Sequence, residues 1–266
     1  MKIIAEIGWN HMGDMSLAKK MIDSASKNGA DICKFQTWSE KNLKSGAWDK
    51  DGRREIYKKA QLSENQQIEL KKYCEYRGVR FLTTIFNKND LNFLFKINPD
   101  MIKIGSPEVY NLELIQSCLL KFDKVIISTG AAKWSEIEQI SKIKKNKNMV
   151  LLHCVSSYPC NAENVNFPRM GKLKKFSGDI GYSGHYPGID DAIIAFCNGA
   201  SYVEKHFTID HNLPGKDNKF AILPEDLNKL SKFRDNLLKM SIDRGLDLQE
   251  CELDIFNNVR GRWNKN

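Results

Sequence analysis

Side chains able to do acid–base, anion-binding or metal chemistry recur at the ends of short apolar runs. Glu6 closes the run 2–6, Lys34 and Gln36 close 31–36, Thr83 and Thr84 close 79–84, and Lys103 closes 100–104, with Ser106 and Glu108 just beyond. Ser128 closes 124–128, and His153 closes 149–153. Ser183 closes 179–183, with His185 two residues on, and Glu204, Lys205 and His206 close 201–206. Lysines, carboxylates and imidazoles are costly to bury unless something pairs with them, so eight such endings around one mouth imply a ligand-binding, catalytic site. Lys34 and Lys103, with the hydroxyls of Thr84, Ser106 and Ser128, suit a small ligand that carries phosphate and carboxylate. His153 and His185, on neighbouring strands, suit Mn²⁺, Zn²⁺ or Fe²⁺ with open positions better than an oxygen cage for Ca²⁺. Glu6 can act as base, acid or water-positioning group, or can pair with Lys34; the two readings are compatible in the empty enzyme. His11 and His206 also stand at strand ends, while His211 reads as a surface residue.

The elements that must position these residues follow a regular alternation. The eight apolar runs read as β-strands, and amphipathic segments lie between them. Ser16 is the expected cap of the first helix, and Ser63 with Gln66 resembles a capping box. Ser135 to Ile143, Pro187 to Asn198 and Pro224 to Met240 read as further helices, and Gly29, Gly78 and Gly199 as C-terminal stops. Strand then helix, eight times over, is the pattern of an α/β fold of the (β/α)8 TIM-barrel type, in which chemistry sits at the C-terminal ends of the strands. No Gly-x-Gly-x-x-Gly follows the first strand, which argues against a dinucleotide-binding sheet. The expected organisation is a single barrel domain over 1–243 and a tail over 244–266. The stretch 37–62, with Trp38, Trp48 and Tyr57, is long for a βα loop and reads as functional or interface-forming.

Composition removes other classes. Of 266 residues, 41% are hydrophobic and 28% charged, which excludes a disordered chain. The net charge of +8 reads as basic side chains spread over solvated faces. The densest basic run, Lys142 to Lys147, falls at a predicted helix end, where cations complement the helix dipole; nucleic acid is not an expected partner. Seven cysteines with no Cys-x-x-Cys pair read as reduced thiols. No apolar stretch reaches the ~18 residues of a membrane span, and Glu6 comes too early for a signal peptide, so no membrane partner and a cytoplasmic location are expected.

The motifs resemble the sialic acid synthase (N-acetylneuraminate synthase) family. The matching stretches are Ile4 to Asp14 (IAEIGWNHMGD), Lys34 to Thr37, Lys103 to Glu108, Ser128 to Gly130, His153 to Pro159, Gly181 to His185 and Glu204 to Thr208. They fall in family order. The resemblance implies a TIM barrel that condenses phosphoenolpyruvate with an aldose, N-acetylmannosamine or a related sugar. The product is a 2-keto-3-deoxy sugar acid, and phosphate is released. It implies a divalent metal, Mn²⁺ first with Mg²⁺ or Co²⁺ as alternatives, on His153 and His185. It implies Glu6, Lys34, Lys103 and His185 as catalytic residues, and Gln36, Thr84, Ser106, Glu108, Ser128, Tyr158, Ser183 and Lys205 as substrate-binding ones. A homodimer is the candidate assembly. The family's C-terminal antifreeze-like domain is not expected here, and its Asp-His-Ala-x-Ser-Leu-Glu-Pro segment reads Asp217 to Pro224 as DNKFAILP. Two other readings stay open: a lyase or aldolase using Lys34, Lys103 or Lys205 as a Schiff-base nucleophile, and a non-catalytic sugar-phosphate-binding protein.

Overall fold

Eight parallel strands pair in sequence order and close on themselves: β1 (Lys2–Glu6), β2 (Ile32–Thr37), β3 (Arg80–Ile85), β4 (Met101–Ile104), β5 (Lys124–Ser128), β6 (Met149–Cys154), β7 (Asp179–Gly184) and β8 (Tyr202–His206). The computed structural model describes residues 1–143 and 148–263, apart from the side chain of Trp48. Lys144 to Lys147 of the basic run therefore lie outside the described residues. Each expected strand is found within one residue of its sequence-read limits. β-Branched residues fill these strands because both faces are buried, one in the barrel and one against the helices.

Side-chain alternation divides each strand between those two faces. Ile4, Ile32, Leu82, Met101, Ile126, Val150, Leu152 and Tyr202 pack together as the barrel interior. Their neighbours of opposite parity, such as Cys33, Phe35, Val125, Leu151 and Val203, belong to the larger cluster under the helices. The inner side chains of the next layer up are thereby fixed: Glu6, Lys34, Thr84, Lys103, Ser128, Cys154, Ser183 and Glu204.

The outer layer is α1 (Met15–Lys27), α2 (Arg53–Ala60), α3 (Glu64–Tyr76), α4 (Leu91–Ile97), α5 (Leu112–Lys121), α6 (Trp134–Ser141), α7 (Phe167–Lys172), α8 (Asp190–Cys197) and α9 (Pro224–Met240), with α10 (Leu253–Asn258) beyond it. The cap of α1 is Asp14, not Ser16: its carboxylate accepts the N–H groups of Ser16 at 2.8 Å and Leu17 at 3.1 Å. An aspartate there satisfies two orphan donors and also meets the positive end of the helix dipole. The capping box of Ser63 and Gln66 on α3 forms as read. α8 starts three residues later than Pro187, after Gly188 takes a φ of +89° that interrupts the helix. α9 runs from Pro224 to Met240, as the sequence indicates.

The long stretch after β2 is not structureless. It holds two short 3₁₀ turns and α2, and the rings of Trp38 and Tyr57 pack with those of Trp9 after β1 and Phe86 after β3. Tyr57 lies edge-on to Trp9 at 5.0 Å and to Trp38 at 5.4 Å, and Trp38 reaches Phe86 at 6.3 Å. Among the described residues no helix is long and apolar enough to cross a membrane.

Candidate active site

The inner layer at the C-terminal ends of the strands is a network of opposite charges. Lys34 Nζ lies 2.8 Å from Glu6 Oε2 and 3.6 Å from Glu204 Oε1, and Lys103 Nζ lies 3.5 Å from Glu204 Oε2. All four residues are buried. Each ammonium also donates to a hydroxyl, Lys34 to Thr84 at 3.0 Å and Lys103 to Ser128 at 2.7 Å. Ser183 donates to Glu204 at 3.1 Å, and Gln36 donates to Glu6. Ser106 accepts from the Gly130 N–H at 3.1 Å and donates to the Cys154 thiol at 3.5 Å.

The charges set one another's protonation. Burial raises the Glu6 carboxyl above the ordinary range, and Glu204 adds to this against the opposing pull of Lys34. Burial also works against the Lys34 ammonium, but Glu204 and Glu6 outweigh it and hold its pKa above the usual lysine value. Lys103, farther from Glu6, is pushed down by burial in spite of Glu204. Glu204 is stabilised as the carboxylate by Lys103 and Lys34, which overcome its burial. The layer thus holds one firm carboxylate, one carboxyl with raised affinity for a proton, and two lysines of unequal basicity.

Above this layer stand two imidazoles on neighbouring strand ends. The rings of His185 and His206 are 5.4 Å apart, and Tyr158 lies against His185 at 4.1 Å. His185 Nδ1 donates to the Val155 carbonyl at 2.8 Å; burial works against the ring's charge, but Cys154, that bond and Glu204 outweigh it and raise its pKa. His206 is held neutral, its pKa well below the ordinary value through burial and the charge of His185. Its Nδ1 is buried without a hydrogen-bond partner and lies 3.3 Å from Asp217 Oδ2. Burial, then the charge of Glu6, pushes the Asp217 carboxyl up to about 7.

Two residues read from the sequence as site members are not in the mouth. His153 has outward parity. Its Nε2 meets the Val165 carbonyl at 2.6 Å, and its ring packs on Phe167 of α7 and on Tyr182. It is a wall residue, and the structure does not bring it together with His185. Lys205 also points outward. It donates to both oxygens of Asp191 on α8, at 2.9 and 2.8 Å, and to the Tyr186 carbonyl. The other sequence-read residues do line this end of the barrel: Glu6, Lys34, Gln36, Thr84, Lys103, Ser106, Ser128, Tyr158, Ser183 and His185. Glu108 sits in the turn after β4, where it accepts from Asn111 at 3.0 Å. His11 is buried behind the wall, 5.9 Å from the Phe35 ring.

Sequence reading placed Glu204 and His206 at a strand end without giving them a role, and missed Cys154 and Asp217. The first three were carried in the quoted motifs. What would have found them is strand parity: on β8, Tyr202, Glu204 and His206 share the inner face and Lys205 does not.

The donor set suits a divalent cation only in part. Two imidazoles, His206 neutral with an orphaned buried nitrogen and His185 once it gives up its proton, fit a borderline ion that keeps open positions for oxygen ligands. Among the described residues no group of three or more His, Cys, Asp or Glu side chains forms a complete cage.

A closed (β/α)8 barrel with lysines, acids and imidazoles converging at the C-terminal mouth has the architecture of a barrel enzyme. Comparison with known proteins gives its lineage. Residues 21–243 match the NeuB family, and the chain belongs to that family. It is 36% identical over 246 residues to the N,N'-diacetyllegionaminic acid synthase of Campylobacter jejuni, covering 86% of this chain and 73% of that one. It is 33% identical to the human N-acetylneuraminate-9-phosphate synthase, over 86% of this chain and 67% of that one. Among solved structures, the N-acetylneuraminic acid synthetase of Leptospira borgpetersenii superposes with a TM-score of 0.86 at 32% identity, over 99% of this chain and 92% of that one. The relatives are sialic-acid-type synthases, and that is the class of enzyme in which this chain falls.

Proposed function

We propose that this chain condenses phosphoenolpyruvate with an aldose, N-acetylmannosamine or a related sugar, forming a 2-keto-3-deoxy sugar acid and releasing phosphate. The observation that supports this most is the layered mouth: two lysines with hydroxyl partners below, a proton-binding acid beside them, and two imidazoles above. Lys34, Lys103, Thr84, Ser106 and Ser128 would hold the phosphate and carboxylate of phosphoenolpyruvate. Binding both ends fixes its C3 carbon toward the acceptor carbonyl and converts an encounter into a near-attack pose. His185 and His206 would hold a divalent cation, Mn²⁺ by preference, which when bound supplies Lewis-acid polarisation of the acceptor carbonyl.

In the condensation, C3 of phosphoenolpyruvate forms a bond to the aldehyde carbon, and positive charge builds at C2. Water adds there and gives up a proton, which Glu6 is suited to take because burial raises its pKa. The tetrahedral centre then collapses to the ketone as its C–O bond to phosphate breaks, and the proton of its hydroxyl leaves with the phosphate. Asp217, with its pKa near 7, is suited to return a proton to the new alkoxide.

The test is phosphate release from phosphoenolpyruvate with a panel of acetamido aldoses and Mn²⁺, read with product mass. A product heavier than the acceptor by the pyruvyl unit, lost with chelator and restored by Mn²⁺, is the expected result. The depressed Lys103 amine favours one other reading, a Schiff-base lyase. That enzyme would survive chelator and be trapped by borohydride on Lys103. For the assembly we propose a homodimer in the cytoplasm.

A further inference from the structure

Arg169 takes no part in the chemistry above, yet it reaches from α7 to the turn that follows β5. Its Nη2 donates to two carbonyls of that turn, Thr129 at 3.1 Å and Ala132 at 3.0 Å. These carbonyls stand on either side of Ala131, whose φ is +53°. A residue with a Cβ avoids that left-handed region and stays in it only where its surroundings over-determine it. Two carbonyl oxygens brought to one point repel each other, and the shared guanidinium offsets this.

The turn also carries part of the anion-binding layer. Thr129 is anchored, since its N–H and its hydroxyl both donate to the Leu152 carbonyl, at 2.9 and 3.0 Å. The Gly130 N–H donates to Ser106 Oγ at 3.1 Å. A Cβ at Gly130 would lie 2.3 Å from Ser156 Oγ, 2.7 Å from Ser106 Oγ and 2.9 Å from Cys154 Sγ, so the main chain closes on this group as only a glycine allows. The Thr129 carbonyl and the Gly130 N–H are the two ends of one rigid peptide plane. Arg169 holds one end and Ser106 the other. The Ser106 hydroxyl, which accepts at its oxygen, keeps its proton to donate and donates it more strongly for accepting.

We propose that Arg169 is a positioning residue for phosphoenolpyruvate. By clamping the turn around Ala131 it aims the Gly130 N–H at Ser106 and so sets that hydroxyl toward the anion. The inference rests on the reading that Ser106 binds phosphoenolpyruvate. The experiment measures Kd for phosphoenolpyruvate by calorimetric titration with Mn²⁺ present, and KM and kcat with an acetamido aldose that the parent turns over. Arg169→Met should raise Kd and KM for phosphoenolpyruvate about tenfold, the worth of one hydrogen bond to a charged group, with kcat within about threefold of the parent. Ala131 is exposed, so a larger side chain there meets no wall. Ala131→Val resists the left-handed φ and should raise KM in the same sense, although the Arg169 charge stays in place. Glycine adopts that φ at no steric cost, so Ala131→Gly alone should leave KM within about twofold of the parent. Combined with Arg169→Met, it should bring KM back to within about threefold. A KM unmoved in both Arg169→Met and Ala131→Val overturns the proposal. So does a raised KM in Arg169→Met that Ala131→Gly fails to lower, which would mean that Arg169 acts through its charge alone. If Arg169→Met does not fold, equal KM values for Ala131→Val and Ala131→Gly overturn it. A parent that does not bind phosphoenolpyruvate would instead sink the synthase reading, and this inference with it.

Discussion

His153 and His206 have the same side chain and opposite duties, and the difference is one of facing. Both end a strand, but His206 shares the inner face with Glu204, while His153 packs on α7 and β7. His206→Ala should therefore remove bound metal and turnover together, whereas His153→Ala should lower stability and leave metal content intact, both read by elemental analysis and thermal melting. Lys205 makes the same point with charge. Removing it strands Asp191 in a buried site, a loss of about 3–5 kcal/mol. Lys205→Met should lower the melting temperature by roughly 6–20 °C, at about 2–4 °C per kcal/mol, with KM for phosphoenolpyruvate unchanged once folded. A raised KM would return Lys205 to the site. His11 gives a pH effect. Burial pushes its pKa down to about 4 from the ordinary 6.5. Between those values the unfolded chain binds a proton that the folded chain refuses, so stability falls as pH drops through that window. Relative to His11→Gln, the parent should lose about 2–3 kcal/mol in urea melts between pH 7 and pH 4.5, at 1.36 kcal/mol per pKa unit.

The elements were more legible than the facing of their side chains. Strand limits could be read because β-branched runs broken by Gly and polar turns have few alternative folds, and eight repeats of one unit leave little but a closed barrel. Facing could not be read on β6. Met149 to Leu152 is apolar on both faces, as a strand buried on both sides must be, and carries no alternation to say where His153 points. On β8 three consecutive polar residues gave no sign of which pair faced inward; only the closed barrel settles it, through Tyr202 in the core. The cap of α1 was misplaced for a related reason: Asp14 and Ser16 both suit a cap, and the choice depends on backbone geometry. The packing of α2 was equally hidden, since it depends on a long-range contact. Gly13 has a φ of +81°, and a Cβ there would lie 2.2 Å from the Lys59 carbonyl oxygen. Gly13→Ala must push α2 off the β1 loop. A destabilisation of about 1–3 kcal/mol is expected. Limited proteolysis should then cut faster within 44–52, and an unchanged digestion rate would show that α2 is anchored elsewhere.

At the scale of the whole molecule, the barrel is closed by β8 and covered by α9, and it asks nothing of the residues after them. Ile242, Leu246, Leu253, Ile255, Phe256 and Trp263 are all exposed, and the chief contact of α10 is with the turn just before it. Isolated apolar side chains on a surface are ordinary, but a run of them along one segment of about twenty residues is a contact surface without its contact. Since every described residue of the segment is exposed, a chain ended after residue 243 should melt within about 2 °C of the parent, a shift of under 1 kcal/mol. If this run joins two copies in the proposed homodimer, sedimentation should show the 266-residue chain as a dimer and the shortened one as a monomer. Burying side chains of this kind releases roughly 25 cal/mol for each Å² taken from water, so the full chain's association should also weaken on cooling. A shortened chain that sediments as the dimer would place the interface on the barrel itself. A shortened chain that fails to fold would mean that the segment returns to its own barrel in solution.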